Sequence, residues 1–319
     1  MSYLLPFIFS FILTLIITYL LINFQKKRKI GQMVREEGPV MHYKKKGTPT
    51  LGGISFLIVL ILTYIFMPKT PFTNNLILFV LLESSIGLFD DLIKLIKKNA
   101  YGLKARWKIV LQIIFSIPLI IFLIKNYGTY FYLPFSGKDI YVSTPIFVII
   151  TLFLSVGAVN SFNFTDGLDG LLSGLSLILI PLFTIFLSKN VNIIPLIAIG
   201  GSLLAFLWFN FNPAEIFMGD TGSSFLGAFF IFYSLSFKLE IIIPIFMLIF
   251  GIETLSVIIQ VLYFKYTKKK YKEGKRIFRM SPIHHHFELL GIPEQKITIR
   301  FWICQVILIL ITFSILYIP

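Results

Sequence analysis

Five stretches of the sequence hold residue types that could do chemistry together. Asp90-Asp91 stand in Gly87-Leu-Phe-Asp-Asp-Leu-Ile-Lys94. Adjacent helical residues point about 100° apart, so the two acids cannot serve one small target without help from elsewhere. Lys94, four residues beyond Asp90, can share its face. A single acid there reads as a helix end with an intrahelical ion pair. Two adjacent acids at the edge of an apolar segment repel one another and resist desolvation, which a divalent cation or a phosphate-bearing partner would relieve. Asn163, Asp166 and Asp169 follow in Asn160-Ser-Phe-Asn-Phe-Thr-Asp-Gly-Leu-Asp-Gly170. One Asp before an apolar helix makes a good N-cap, but a cap needs only one. Glycines beside them permit close ligand approach.

The third stretch runs Asn210-Phe-Asn-Pro-Ala-Glu-Ile-Phe217-Met-Gly-Asp220-Thr-Gly-Ser. Asp220 at a helix start suits a cap, or a metal or phosphate site where free N–H groups attract anions. Mg²⁺ takes oxygen ligands, usually one or two carboxylates with substrate phosphates and water, and Asp220 with one of Asp90 and Asp91 meets that need if the fold unites them. Phe217 reads either as an interfacial aromatic or as a platform for a base. His284-His285-His286, after Arg279-Met-Ser-Pro-Ile, is internal and too short for a tag. Three consecutive imidazoles cannot readily converge on one tetrahedral zinc ion, and no cysteines accompany them. Pyrophosphate binding or proton transfer suits them better. Lys44-Lys-Lys46-Gly-Thr-Pro-Thr50-Leu-Gly-Gly53 matches neither a Walker loop nor a dinucleotide fingerprint. Its glycines could pack helices, or with the lysines hold a nucleotide phosphate.

These residues must be positioned by apolar helices. The chain has 319 residues, 56% of them hydrophobic and 14% charged, where soluble domains carry about 25% charged. Windows of about 20 apolar residues place spans near 3–24, 51–67, 72–89, 109–124, 145–160, 171–187, 193–209, 222–237, 241–264 and 299–318. The fold expected is therefore an all-α integral membrane protein of about ten transmembrane helices, one polytopic domain over 1–319. The first stretch is too long for a signal-peptide core and lacks a basic lead, so it reads as a retained helix. Of the 29 Lys and Arg, only Lys69, Lys125, Lys138, Lys189 and Lys238 fall in even-numbered connections. By the positive-inside rule the odd connections are cytoplasmic and both termini extracytoplasmic. The net charge of +14 then reads as topology and attraction to membrane lipids, with no nucleic acid as partner.

Nearly all the acids and polar clusters fall on the cytoplasmic side too, so any active-site cleft belongs there, close to the membrane surface. Residues 129–133 and 139–142 flank Ser136-Gly137 as a small external β-hairpin. The long, basic connection 265–300 is the one expected to form structure of its own. Glu83 and Glu253 fall inside spans, where an ionisable group is functional by default. Glu83 faces the same way as Asp90, and Glu253 has no evident partner. Gly200-Gly201 could pack helices within or between subunits, which leaves a homodimer open. Cys304 is alone, so no intrachain disulfide forms.

Lys45–Gly53, Asp90–Lys94, Gly102–Lys108, Asn160–Gly170, Asn210–Ser223 and Arg279–Phe287, with Arg300-Phe-Trp302 after them, together resemble the phospho-N-acetylmuramoyl-pentapeptide transferase family, within the polyprenyl-phosphate N-acetylhexosamine-1-phosphate transferases. The resemblance extends over nearly the whole chain in the family's order, and Gly-Thr-Pro-Thr and Pro-Ile-His-His-His point to the muramoyl branch. Leu51 stands where the family usually has Met, a change of similar volume, and the chain is short for the family in its outer connections.

The resemblance implies a bacterial inner-membrane enzyme. It would transfer phospho-MurNAc-pentapeptide from UDP-MurNAc-pentapeptide to undecaprenyl phosphate, giving lipid I and UMP with Mg²⁺ as cofactor. On that match Asp220 binds the metal with Asp91, while Asp90 and Asp91 act at the metal and the attacking lipid phosphate, Asp90 as a candidate base. His284 and His285 sit near the pyrophosphate, and Lys45, Asn210 and Phe217 hold or stack the uridine. Lys94, Asn163, Asp166 and Asp169 line the same pocket, with Thr50, Lys98, Lys108 and His286 as further substrate contacts. A sister enzyme transferring a related hexosamine phosphate would differ in the UDP-sugar it accepts. A carrier or channel would instead string ionisable residues across the bilayer.

Overall fold

The computed structural model describes residues 4–32, 45–99, 101–186 and 193–316. Among these, helices α1 (Leu4–Arg28), α2 (Ile54–Phe66), α3 (Pro71–Lys97) and α4 (Ala105–Tyr127) precede a hairpin of β1 (Tyr130–Leu133) and β2 (Lys138–Tyr141). After it come α5 (Thr144–Thr165), α6 (Leu171–Phe186), α7 (Ile193–Asn210), α8 (Gly219–Ser236), α9 (Ile243–Phe246), α10 (Leu248–Tyr271), α11 (Ile283–Glu288) and α12 (Glu294–Leu316). Six of them, α1, α4, α5, α7, α10 and α12, are long and apolar enough to cross a membrane, which makes this a multi-pass membrane protein. The other four predicted windows are helical as well. α2 and α6 are shorter, α3 carries Glu83, Asp90, Asp91, Lys94 and Lys97, and α8 opens with the polar turn Gly219–Ser224.

The bundle has an apolar, Phe-rich core, and α1 turns a mostly polar stripe inward against it. On α1 the buried residues are Ser10, Thr14, Thr18, Ile22 and Gln25, whereas Leu4, Ile8, Ile12, Ile16 and Leu20 face outward, as suits a helix whose solvent is hydrocarbon. Thr14 donates to the Ser202 hydroxyl of α7 at 3.0 Å. A Cβ on Gly201 would overlap the Phe7 carbonyl, and one on Gly200 would lie 3.2 Å from Ile180. The Gly200-Gly201 pair is thus spent inside the molecule, against α1 and α6. At the centre is α8, buried from Thr221 to Ser236 and packed against α2, α3, α4, α5 and α6. Phe72, Phe122 and Tyr233 gather round Phe232, with centroids 5.1–6.5 Å apart.

The hairpin forms as expected, Tyr130 pairing with Tyr141 and Leu133 with Lys138. Gly137 adopts φ +63° in its turn. Lys238 fastens it to the bundle, donating to the Tyr130 carbonyl at 3.0 Å and lying 4.2 Å from that ring's centroid.

Three boundaries differ from the hydropathy windows. α3 does not end at residue 89 but runs two further turns, so Asp90 and Asp91 sit within the helix; their charges find partners, and an intact backbone ladder has no reason to stop where lipid does. The ninth window is two helices, α9 and α10, and Gln305 of α12 donates to the Phe246 carbonyl at the break, 2.7 Å away. α10 then continues past the window to Tyr271. The connection beyond it does have structure: Gln260 accepts from the amides of Ile277 and Phe278 and donates to the Phe278 carbonyl, all at 3.0 Å. This strap presents α11 to the rest of the protein.

Candidate active site

The N-terminus of α8 is the focus of the site. Met218 occupies the N-cap position and offers no side-chain acceptor. The acceptor comes from α3: Asp91 takes the amide of Asp220 at 3.0 Å on Oδ1, and the amide and hydroxyl of Thr221 at 2.9 and 2.7 Å on Oδ2. Asp220 therefore does not cap its own helix, and its carboxylate is left for other work. This approach requires glycine. A Cβ on Gly87 would overlap the Asp220 carbonyl, and Gly219, at φ +75°, would bring one to 2.6 Å from Asp91 Oδ2. On the opposite side the amide of Phe217 donates to Pro49, and those of Gly52 and Gly53 to Phe217 and Met218, at 2.8–3.0 Å. The Lys45–Gly53 motif is thus stitched to the start of α8. Gln25 of α1 holds Thr50 by both backbone groups, at 2.6 and 2.9 Å.

Asp90 does not cap α8; it meets two ammonium groups instead. Its carboxylate lies 2.7 Å from Lys94 and 2.9 Å from Lys108 and accepts from the Leu103 amide at 2.6 Å. Asp220 shares both lysines, at 3.1 Å from Lys94 and 2.6 Å from Lys108. Burial would raise the Asp220 pKa, but the two lysines hold it well below the usual carboxylate range. Burial would likewise lower that of Lys94, and the carboxylates of Asp220, Asp90 and Asp91 raise it instead.

Each of Asp90, Asp91 and Asp220 offers an oxygen within 4.8 Å of the others. Three carboxylates against two ammoniums leave net negative charge, and an all-oxygen donor set without Cys or His suits a hard cation such as Mg²⁺ rather than zinc.

A cavity of about 390 Å³ opens beside this cluster. Asp91, Lys94, Gly219 and Asp220 line one part of it, and Lys45, Thr50, Asn163, Asp166, Asp169, Asn210, Phe217, His284 and His285 line the rest. Every lining residue lies in an odd-numbered connection of the predicted topology. Lys45 is anchored by Asp169 at 2.7 Å and by Glu294 at 2.5 Å; burial opposes its charge, yet those carboxylates raise its pKa. Asp169 also accepts from Asn212 and from the Ala214 amide, each at 3.0 Å. Asn210 holds the loop before α8, taking the Ser173 hydroxyl at 2.8 Å and donating to the Ile216 carbonyl at 3.0 Å. Asn163 donates to Ser223 at 3.0 Å. Asp166, at the C-cap of α5, has its pKa pushed up to about 8 by burial and by the nearby carboxylates of Asp220, Asp91 and Asp169.

The histidine run splits three ways. His284 is buried, and its Nδ1 lies 3.0 Å from the equally buried Glu253, which supplies the partner missing from the sequence. That contact leaves Nε2 without a protein partner, close over Gly167. His285 Nδ1 lies 2.6 Å from Glu288 on the same short helix. His286 turns from the cavity, accepting the Arg279 amide at 3.1 Å and packing on Phe278.

Lys98, the exposed left-handed C-cap of α3, does not line the cavity either. Asp90 and Lys108 stand behind the lining and act through their ion pairs. Glu83 is buried, and neither of its oxygens has a hydrogen-bond partner. Lys44 lies outside the described residues.

Sequence reasoning passed over Glu294, Thr221, Asn212 and Gln25. For Glu294 there was a signal, an acid in the first turn of an apolar helix; the others act through contacts that no spacing reveals.

Residues 73–238 match glycosyl transferase family 4. Curated relatives called phospho-N-acetylmuramoyl-pentapeptide-transferase align along almost their full length. The protein of Staphylococcus carnosus is 43% identical over 94% of this chain and 95% of its own, and that of Clostridium beijerinckii 41% over 97% and 94%. The Caldicellulosiruptor bescii protein is 39% identical over 97% of this chain and 96% of its own.

Proposed function

Because this chain belongs to the phospho-N-acetylmuramoyl-pentapeptide transferases of glycosyl transferase family 4, we propose that it moves phospho-MurNAc-pentapeptide from its UDP carrier to undecaprenyl phosphate, giving lipid I and UMP. The observation that carries this reading at the level of chemistry is the convergence of Asp90, Asp91 and Asp220 within 4.8 Å at the start of α8, beside a polar cavity large enough for part of a nucleotide sugar.

In the reaction an oxygen of the lipid phosphate bonds to the sugar-linked phosphorus of the donor, the pyrophosphate bridge breaks, and UMP leaves with the bridging oxygen. Such transfers depend on alignment and charge neutralisation. Asp220 and Asp91 would hold Mg²⁺, which when bound neutralises charge on the phosphates. Lys94, shared by Asp90 and Asp220, borders the cavity as a fixed cation for the same phosphates. Asp90 is buried between Lys94 and Lys108 and off the cavity wall, a geometry that favours anchoring these lysines over taking a proton; a lipid phosphate arriving ionised needs no base. His284, oriented by Glu253, lines the cavity near the expected pyrophosphate. Lys45, Asn210 and Phe217 would take the uridine, with Asp166 and Asp169 beside them.

The membrane arrangement that fits this role has ten spans, with the cleft cytoplasmic and both termini outside the bacterial inner membrane. All cavity residues lying in connections of one parity supports it. The reading is tested by UMP release from UDP-MurNAc-pentapeptide and undecaprenyl phosphate, with and without Mg²⁺, beside Asp220→Ala. We expect release only with the metal and a loss of at least about a thousandfold in the variant. Release from UDP-GlcNAc instead would assign the chain to a sister activity.

A further inference from the structure

We infer that Glu294, the first residue of α12, is a positioning residue for the nucleotide: it holds Lys45 so that one N–H of its ammonium is directed into the cavity. The inference rests on the reading above that the Lys45 part of the cavity receives the uridine nucleotide.

Glu294 is close to the N-terminus of a long helix, where negative charge is stabilised. Its Oε1 lies 2.5 Å from Lys45 Nζ and accepts from the Asp169 amide at 2.7 Å, while Oε2 accepts from Asn212 at 3.1 Å. One carboxylate thus gathers three chain segments that meet nowhere in sequence. An ammonium has three donors. Two are taken by Asp169 and Glu294, and because Lys45 also lines the cavity, the third is the one a ligand can use. Asp169 alone does not fix this direction. Its Oδ1 takes Lys45 while Oδ2 is committed to Asn212 and Ala214, so a lysine on that single anchor can still swing about it. The metal cluster shares none of Glu294's contacts.

The sign of the effect separates positioning from bulk electrostatics. A carboxylate near an anionic donor repels it, so neutralising Glu294 should tighten nucleotide binding if charge alone mattered. Positioning demands the reverse.

The experiment uses the full-length protein in detergent, with steady-state UMP release measured for wild type, Glu294→Gln, Lys45→Ala and the double variant. Glu294→Gln should raise KM for UDP-MurNAc-pentapeptide about tenfold, as loss of a hydrogen bond to a charged group does, with kcat and the KM for undecaprenyl phosphate within about twofold of wild type. In the Lys45→Ala background the same substitution should add less than about twofold, because the residue acts through Lys45. A KM that falls or holds in Glu294→Gln, or effects that multiply in the double variant, would overturn the proposal. If Lys45→Ala itself leaves the nucleotide KM unchanged, the uridine reading of this part of the cavity fails, and the proposal with it.

Discussion

Asp91 and Asp220 look alike in sequence but do different physical work. Asp91 accepts three hydrogen bonds that complete the first turn of the most buried helix, whereas Asp220 faces two lysines that also have Asp90. Removing a buried acceptor strands its donors, at about 1–3 kcal/mol each. Asp91→Ala should therefore lower the melting temperature of the metal-free protein by several degrees, while Asp220→Ala, equally inactive, should shift it by a degree or two. Differential scanning fluorimetry in detergent decides this, and equal shifts would show that Asp91 does not cap α8. Asp166 gives a pH-dependent prediction. Folded, it keeps its proton up to about pH 8; unfolded, it loses it near pH 4. Folding then takes up a proton between those values, so stability falls as pH rises from about 4 to about 8. Asp166→Asn cannot lose a proton. Without metal, its melting temperature should match wild type near pH 4 and exceed it increasingly towards pH 8, by several degrees; a gap that stays constant with pH would mean the raised pKa is not there.

The elements reach the site only because glycines let them touch. A Cβ on Gly53 would overlap the backbone of Gly222, and since both partners there are main chain, neither can swing aside. Gly53→Ala should thus push α2 and the Lys45–Gly53 segment off the start of α8, destabilising by about 2 kcal/mol or more and weakening nucleotide binding with no charge changed. Melting and uridine-nucleotide titrations on one preparation test it, and a variant with normal values for both would show that the segment can shift freely. The Gly52-Gly53 pair illustrates what could be read beforehand: small residues at the start of an apolar window announce close helix packing, but not against which helix. The same holds for the chemistry. The acids, lysines and histidines were visible as motifs in the odd connections, because lipid excludes charge from the windows between them. Their pairings were not visible, since Lys45 and Glu294 are separated by 249 residues, and Glu253 meets His284 only after α10 and α11 fold together. Helix ends were misread for a related reason. Hydropathy marks where lipid stops, and α3 continues two turns beyond that point.

At the scale of the whole molecule, one question joins charge to catalysis: whether the face holding the cavity is the face the basic residues choose. The excess of Lys and Arg in odd connections sets orientation through the membrane, and independently the fold collects its cavity from those connections alone. On the proposed ten-span topology both donor and lipid phosphate are engaged at one membrane surface, with the hairpin, fastened by Lys238, on the other. Cysteine labelling separates the faces. Lys98→Cys sits at the exposed C-terminal end of α3 and Ser136→Cys at the exposed tip of the hairpin, each introduced with Cys304→Ser, because the native thiol is exposed on α12. In intact spheroplasts a membrane-impermeant maleimide should modify Ser136→Cys fully and Lys98→Cys only after permeabilisation. The reverse pattern would place the carboxylates on the outer face, away from any cytoplasmic nucleotide, and labelling of both without permeabilisation would mean that they are not on opposite sides at all.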